Sequence, residues 1–166
     1  MAASDNQDNI INYAGDFRLK TCNIISFRKA EGSEKAFRAN ILPQTMTVSL
    51  LEDVTMPCIN GSIDVADGQD FRTMLPLTGN ERIELHVFTP GQPEIKYTET
   101  LGNTLNVYKV DKIRNSGGTA RTQIYRVHFT SKEAIKNSIT RISKSFEGPI
   151  ENMVNEIVKD DNDPQQ

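Results

Sequence analysis

The stretch that decides the fold runs from Leu75 to Phe146. It opens with LPLTGNERIELHVFTPG at 75–91, continues as a two-limbed ribbon at 105–129, and ends where TSKE at 130–133 opens an amphipathic helix. Three segments with strand character and one helix follow one another there, and a turn signal separates each from the next. Their order predicts an antiparallel β sheet that is followed by a helix.

The strands of this stretch are marked by apolar residues at alternate positions. Glu81–Thr89 alternates cleanly and is ended by a Pro-Gly pair. The ribbon consists of Leu105–Arg114 and Arg121–Phe129, and the glycines between these two segments predict a hairpin loop. The alternation slips between Val107 and Tyr108, which predicts either a bulge or burial on both faces of the strand.

Three upstream segments, at 17–27, 45–51 and 58–65, show the same alternation and predict further antiparallel strands. A single helical turn is predicted at Asp70–Leu75, capped by its first residue. The polar segment Gln92–Gly102 predicts a mobile loop. The expected inward residues are Phe17, Leu19, Ile25 and Phe27 in the first strand, Met46, Val48 and Leu50 in the second, and Ile59, Ile63 and Val65 in the third.

Two amphipathic helices are predicted at the C-terminal end. Thr130 and Glu133 fit a capping box for the first helix, and Ser131 is a rival N-cap. Gly148 breaks that helix, and Pro149 suits the first turn of the second. The apolar stripes are Ile135, Ile139, Ile142 and Phe146 in the first helix, and Ile150, Met153, Val154, Ile157 and Val158 in the second.

The polar faces of the two helices carry opposite charge. The favoured interpretation is that these faces are solvated or complement each other within a helical hairpin. The more specific interpretation is that the opposite charges of the two helices attract each other between subunits. The basic residues of the first helix are Lys132, Lys136, Arg141 and Lys144, and the acidic residues of the second are Glu147, Glu151, Glu156 and Asp160.

The length and composition of the chain limit the classes of protein to which it could belong. The 166 residues suffice for one domain with a substantial core, and we expect a flexible arm at 1–16, the domain at 17–160 and a solvated tail at 161–166. The formal charge of −3 disfavours nucleic-acid binding that is driven by net charge. We expect synthesis in a cytosol, since the N-terminus lacks signal-peptide character and no apolar run approaches a membrane span of about 18 residues.

Residues with catalytic or metal-binding chemistry are few. Cys22 and Cys58 form no CxxC pair and are expected to be thiols rather than a disulfide. His86 and His128 lie in different predicted strands, and Glu84 could add a third ligand, but two histidines alone make a poor metal site. No nucleophile elbow and no phosphate-binding glycine loop is present in the sequence. We therefore expect no enzymatic activity, no cofactor and no metal.

The order of short motifs along 45–158 resembles the N-terminal tail-tube-like domain of baseplate hub proteins, the central spike adaptors of T-even-type contractile-tailed phages. A related domain occurs in the spike of type VI secretion systems. Each motif alone is weak evidence for the family, and their order and spacing together are more specific. They are GSIDV at 61–65, DG at 67–68, LTGNERIEL at 77–85, FTPG at 88–91, VYKV at 107–110, IYRVHF at 124–129, TSKE at 130–133, Asn137, and RISKSF at 141–146.

The resemblance implies an α+β fold, mainly antiparallel β, in which one or two amphipathic helices pack at the C-terminal end of a tail-tube-like β barrel. It implies a structural virion protein in the tail baseplate, assembled in the host cytoplasm, that forms a trimeric or hexameric ring. The ring would connect the tail tube protein to the central spike protein, and phage DNA would pass its lumen without specific binding. The residues expected at the subunit interface are Val107, Tyr108, Lys109, Tyr125, Arg126, Lys136 and Arg141.

Hub proteins of that family are much longer and carry a second tube-like domain. The sequence leaves three possibilities open: a fragment, a split gene product, or a one-domain protein that forms a hexamer alone. An alternative function from another class is a small β-barrel module that binds an oligosaccharide or single-stranded nucleic acid. That alternative needs aromatic side chains exposed for stacking, and it is disfavoured because Trp is absent and most aromatics lie at core positions.

Overall fold

The computed structural model of the chain describes residues 17–29, 36–74, 77–115, 122–141, 143 and 145–160. The predictions for the arm at 1–16, for the hairpin joint within 116–121, for Ile142 and for the tail at 161–166 lie outside these residues.

Eight strands and three α-helices make up the described chain. All strand pairings are antiparallel, which confirms the predicted α+β class with mainly antiparallel β structure. The elements are β1 (Arg18–Lys29), β2 (Ala36–Asn40), β3 (Thr45–Glu52), β4 (Ile59–Asp67), α1 (Phe71–Met74), β5 (Arg82–Phe88), β6 (Ile95–Tyr97), β7 (Leu105–Asn115), β8 (Gln123–Thr130), α2 (Lys132–Ile139) and α3 (Ile150–Asp160), with a 3-10 turn at Leu42–Gln44 between β2 and β3.

The strands form one sheet in the order β2-β1-β5-β7-β8-β4-β3, and β6 pairs with β5 beside this path. The predicted closed barrel is wrong for the single chain, because β2 and β3 stand at opposite ends of that order and are not paired with each other. The chain leaves β2 through a 3-10 turn, in which the Gln44 amide donates to the Ile41 carbonyl. This turn lies between β2 and β3, and the two strands form no hydrogen-bonded pairs with each other.

The open sheet is nevertheless strongly curled. Seven strands at about 4.8 Å spacing would place the two edge strands about 29 Å apart if the sheet were flat. The link from Asn40 to Thr45 is five residue steps and reaches at most about 18 Å. The sheet must therefore bend around its core to bring the end of β2 near the start of β3.

The core lies on the concave side of this curl. Ile83 and Leu85 in β5, and Ile63 and Val65 in β4, are fully buried, as their alternation predicted. The apolar core consists of Cys22, Ile24, Ala39, Ile41, Ile63, Val65, Ile83, Leu85, Leu105, Val107, Tyr125, Val127 and Phe129.

The predicted inward face of β1 is partly wrong. Leu19 packs against the core, but a register shift between Leu19 and Thr21 moves the next residues to the other parity, so that Cys22 and Ile24 enter the core. Phe17 and Phe27 are exposed, whereas Ile25 is buried as predicted. An extra residue in one strand of an antiparallel pair has this effect, because side chains alternate with a period of two.

A similar irregularity affects β3. The register against β4 shifts between Thr45 and Thr47, and Met46 is exposed instead of inward. Val48 and Leu50 are partly buried against the core, as predicted.

The predicted slip in the ribbon is confirmed as a bulge. The register of β7 against β8 shifts between Val107 and Lys109, which leaves Val107 buried and turns Tyr108 outward. A second shift lies between Asp111 and Arg114, where Lys112 has a positive φ of 54°. The two bulges give β7 a stronger local twist than a regular strand would have.

The predicted loop Gln92–Gly102 contains a short strand. β6 pairs with β5 through Leu85 and Tyr97 and two flanking pairs. A three-residue strand is too short for alternation to identify it. The predicted helical turn at Asp70–Leu75 is confirmed as α1, and the Arg72 amide at its start donates to the side chain of Asp67.

The first C-terminal helix is shorter than predicted. α2 ends at Ile139 instead of Phe146, because Thr140 is extended at φ −77° and ψ 122°. None of the residues in α2 is fully buried, and Ile139 is 74% exposed, so the predicted buried stripe is wrong at this position. The packing of this helix on the sheet is correspondingly slight.

The predicted capping box is also absent. Ser131 is the N-cap, but its side chain makes no capping hydrogen bond. The hydroxyl of Ser131 instead accepts from the Ile59 amide at 3.3 Å, and the hydroxyl of Thr130 donates to the Ile59 carbonyl at 3.1 Å. Both side chains therefore fasten the end of β8 to the start of β4.

Candidate assembly surface

Among the strands that have a neighbour on both sides in the sheet, β7 leaves the longest stretch of its backbone unpaired on one side. β5 pairs with β7 only through Arg82–Asn106 and Ile83–Leu105. From residue 108 to residue 115, β7 pairs with β8 on one side, and no described strand pairs with it on the other. We call these eight residues the ribbon edge. Unpaired N–H and C=O groups along such an edge are a template for pairing with another chain.

Apolar side chains accompany this open backbone. Tyr108 is 53% exposed and Ile113 is 48% exposed. Natural edge strands that avoid association are usually protected by charged residues, proline or bulges. The ribbon edge has bulges and the charged residues Lys109, Lys112 and Arg114, but it also presents two large apolar groups to solvent.

The strands β7, β8 and β4 carry a polar ladder that is partly exposed to solvent. Arg126 in β8 forms a bidentate ion pair with Asp64 in β4, with N–O distances of 2.5 and 2.7 Å. Asp111 in β7 accepts from the Lys109 ammonium at 2.7 Å and lies 3.0 Å from His128 Nε2. Two cations and two acids pair within this ladder, so it ties the three strands together while leaving little net charge on this part of the surface.

The ladder sets the pKa values of its acids. Hydrogen bonds from Lys109 and then His128 lower the pKa of Asp111 to about 2, and the hydrogen bond from Arg126 lowers the pKa of Asp64. The hydrogen bond to Asp111 raises the pKa of Lys109 in return. Each shift favours the charged form of its own group, as expected for opposite charges in contact.

A pH titration tests the ladder. Because the pKa of Asp111 is lower in the folded chain than its ordinary value of 3.8, its stabilising contribution is present above about pH 4 and is lost as the pH falls towards 2. We expect a carboxyl titration by NMR to give a midpoint near 2 for Asp111, and the variant Lys109→Ala to raise that midpoint. The control Lys96→Ala removes a partner of Glu94 and should leave Asp111 unchanged. An Asp111 midpoint near 4 in the unmodified protein would contradict the ladder.

The predicted interface residues fall into three groups. Val107 and Tyr125 are buried in the core, so their side chains face the interior of the single chain. Tyr108 and Lys109 lie on the exposed ribbon edge, and Arg126 is held in the polar ladder. The remaining two, Lys136 and Arg141, are exposed on α2 and just after it.

Sequence reasoning missed the residues that organise these polar contacts. Asp64 and Asp111 looked like ordinary outward residues of alternating strands, and Ile113 lies on the strand beyond the first bulge. A cross-strand pairing of opposite charges could have found them, but only once the register was known.

A second polar cluster surrounds Glu84, which is almost fully buried. Its carboxylate accepts from Asn23 Nδ2 at 3.2 Å, from Arg38 Nη2 at 3.3 Å and from the Glu99 amide at 3.1 Å. Glu84 therefore joins β1, β2 and the segment after β6. It acts as a structural acceptor here, and it does not share a ligand set with His86.

The two histidines lie beside different carboxylates and do not share a site. His86 Nε2 lies 3.3 Å from Glu94 Oε2, but the two groups are not aligned for a hydrogen bond. His128 belongs to the polar ladder. Among the described residues, no group of three or more His, Cys, Asp or Glu side chains could hold a metal ion.

Two surface cavities bear on the alternative of a small-molecule binding module. The larger, of about 690 Å³, lies at the β3–β4 turn and includes Glu52, Met56, Cys58 and Glu133 in its lining. The smaller, of about 270 Å³, is lined by Arg82, Glu99, Gly102, Thr104, Asn106 and Lys132. The described residues of both linings include no aromatic side chain, which is what a sugar or a base would need for stacking.

No family model matches this sequence, and no curated protein or solved structure matches it either. None of the helices within the described residues has the length and apolar character needed to cross a membrane. The functional interpretation therefore depends on the ribbon edge, the polar ladder and the exposed C-terminal helices.

Proposed function

We propose that this protein is a structural subunit that assembles with copies of itself into a ring. The particular assembly that we propose is a baseplate hub or tail-tube-like ring of a contractile-tailed phage, which connects the tail tube to the central spike. The ring would be a trimer or a hexamer, located in the tail baseplate of the virion after assembly in the host cytoplasm.

The observation that carries this proposal is the ribbon edge. A neighbouring copy that adds a strand to residues 108–115 satisfies the open backbone groups and covers Tyr108 and Ile113. A head-to-tail contact of this kind closes into a ring when the rotation between copies is suitable. The curled, open sheet of each copy would then become part of a larger sheet around a central channel, as in the tail-tube-like barrels that the sequence resembles.

The polar ladder supports a passive channel wall. Arg126 and Lys109 are each paired with an acid of a neighbouring strand or of their own strand. Paired cations release few counterions from DNA, so a surface built this way has little affinity for a passing phosphate backbone. The overall charge of −3 acts in the same direction. Phage DNA would thus pass without specific binding.

Lysines on the ribbon edge test this function. We expect Tyr108→Lys combined with Ile113→Lys to abolish self-association, because lysine on an edge strand opposes strand addition. The melting temperature of the variant should stay close to that of the unmodified chain, since both side chains are largely exposed. Size-exclusion chromatography with light scattering measures the first effect, and circular dichroism measures the second.

The matched control is Leu101→Lys, which changes an exposed apolar residue in the loop after β6. This control should assemble like the unmodified chain. A ribbon-edge variant that assembles normally would show that copies associate through another surface, and the proposal for the edge would be wrong.

A further inference from the structure

α3 is a helix without a covering surface in the single chain. Every residue from 150 to 156 is exposed, and Ile157 is only partly buried. An isolated helix of 11 residues is marginal in water, because the cost of nucleating it is spread over few hydrogen bonds. Its apolar stripe of Ile150, Met153, Val154 and Ile157 therefore needs a partner surface to be stable.

The stripe is bordered by acid. Glu151 is next to Val154 on the helix surface, and Glu147 precedes the start of the helix by three residues. Both carboxylates are exposed. A surface that suits this helix must therefore combine an apolar patch with positive charge beside it.

α2 presents such a surface. Ile139 is 74% exposed, and Lys132 and Lys136 lie on the same side of the helix at spacings of seven and three residues. Arg141 follows directly after the helix and is also exposed. The apolar patch and its bordering cations match the apolar stripe and bordering anions of α3.

The two surfaces do not cover each other within one chain, since Ile139 and the stripe of α3 are exposed at the same time. We infer that α3 of one copy docks on α2 of a neighbouring copy, with Ile150 and Val154 against Ile139 and with Glu147 and Glu151 facing Lys132 and Lys136. This inference rests on the proposed self-assembly, and it adds a second contact to the ribbon edge. Loss of the helix contact should therefore weaken the assembly without abolishing it.

Two charge-reversed proteins test the docking. One carries Lys132→Glu and Lys136→Glu, and the other carries Glu147→Lys and Glu151→Lys. All four residues are exposed, so both proteins should fold normally by circular dichroism. Each reversal turns attraction into repulsion at two pairs, and we expect the apparent dissociation constant of the assembly to rise about tenfold or more in each protein alone.

Mixing the two proteins distinguishes docking between copies from folding within one copy. In an equimolar mixture, each contact between unlike copies joins either an unreversed α3 to an unreversed α2 or a reversed α3 to a reversed α2, and both pairs carry opposite charges. We expect the mixture to assemble more tightly than either protein alone, and a hexamer in which the two proteins alternate should recover the affinity of the unmodified protein. If mixing gives no recovery but all four substitutions in one chain do, α3 packs on its own α2 and the inference is wrong.

The remaining outcomes are also decisive. If both reversed proteins assemble like the unmodified chain, the helix docking is wrong while the proposed ring function stands. If affinity falls and neither mixing nor the fourfold variant restores it, charge matching is not the cause and the docking is again wrong. If the unmodified chain does not assemble at all, the proposed function fails together with the docking. Glu52→Lys, an exposed acid-to-base change on β3, is the control and should leave assembly unchanged.

Discussion

Gly61→Ala is expected to destabilise the folded chain by about 3 kcal/mol, at the upper end of the usual cost of overpacking. A Cβ at Gly61 would lie 2.4 Å from Phe129 Cζ, 2.5 Å from Phe129 Cε2 and 2.5 Å from the backbone oxygen of Ser49. Phe129 is fully buried, and the Ser49 oxygen belongs to the paired strand β3, so neither neighbour can move freely. The strand β4 would have to shift between its two partners, β3 and β8.

The measurement is the free energy of unfolding by denaturant, with the melting temperature as a second observable. A loss of about 3 kcal/mol corresponds to roughly 6–12 °C in a domain of this size. Gly68→Ala is the matched control, because its Cβ would meet only the Thr122 hydroxyl at 3.8 Å and its backbone is not in the positive-φ region. The control should stay within about 0.5 kcal/mol of the unmodified protein. Equal stabilities for the two variants would show that the Phe129 ring does not lie over Gly61.

Asp67→Ala is expected to cost about 3 kcal/mol through the loss of three hydrogen bonds to a buried carboxylate. The Asp67 carboxylate accepts from the amides of Gln69 and Arg72 at 3.0 and 3.2 Å, and from the Tyr125 hydroxyl at 3.3 Å. Asp67 and Tyr125 are each 1% exposed, so the hydrogen bond between their side chains lies away from water. Burial, and then the nearby Asp67 charge, raises the pKa of Tyr125, which keeps its hydroxyl protonated as a donor.

The variant Tyr125→Phe separates the contribution of the tyrosine hydroxyl from that of the two amides that donate to Asp67. It removes only the hydroxyl and leaves both amide bonds of Asp67 in place, so it should cost about 1 kcal/mol. Urea unfolding of the two variants gives the comparison. If Asp67→Ala costs no more than Tyr125→Phe, the two amide bonds contribute nothing and this carboxylate does not hold the turn that leads into α1.

The inward faces of the regular strands could be predicted because alternation is a local property. Ile63, Val65, Ile83 and Leu85 are buried as their positions in the sequence indicated. The slip at Val107–Tyr108 was visible for the same reason, since a bulge changes the parity of the residues that follow it. Turn signals between the strands also predicted where one element ends and the next begins.

The bulge in β1 was harder to predict, because apolar residues occupy both parities there. Cys22 and Ile24 enter the core on one parity, and Ile25 is buried on the other. Alternation cannot choose between two apolar faces, and the register against β5 decides the outcome.

The candidate assembly surface could not be predicted from the sequence, because it depends on which strands pair in the folded chain. The sequence indicated a long ribbon but not how far β5 would accompany β7, and that length determines which backbone groups are left unpaired. The exposure of Ile139 was missed because helical spacing alone predicts an apolar stripe without showing what covers it. Both surfaces became visible only when neighbouring strands and helices were in place.

The central claim is that this chain assembles with itself into a ring. Size-exclusion chromatography with multi-angle light scattering over a range of concentrations tests it most directly. The 18.6 kDa chain should give a species of three or six times that mass, with a fraction that grows with concentration. A mass of one chain at every concentration, up to the solubility limit, would contradict the account.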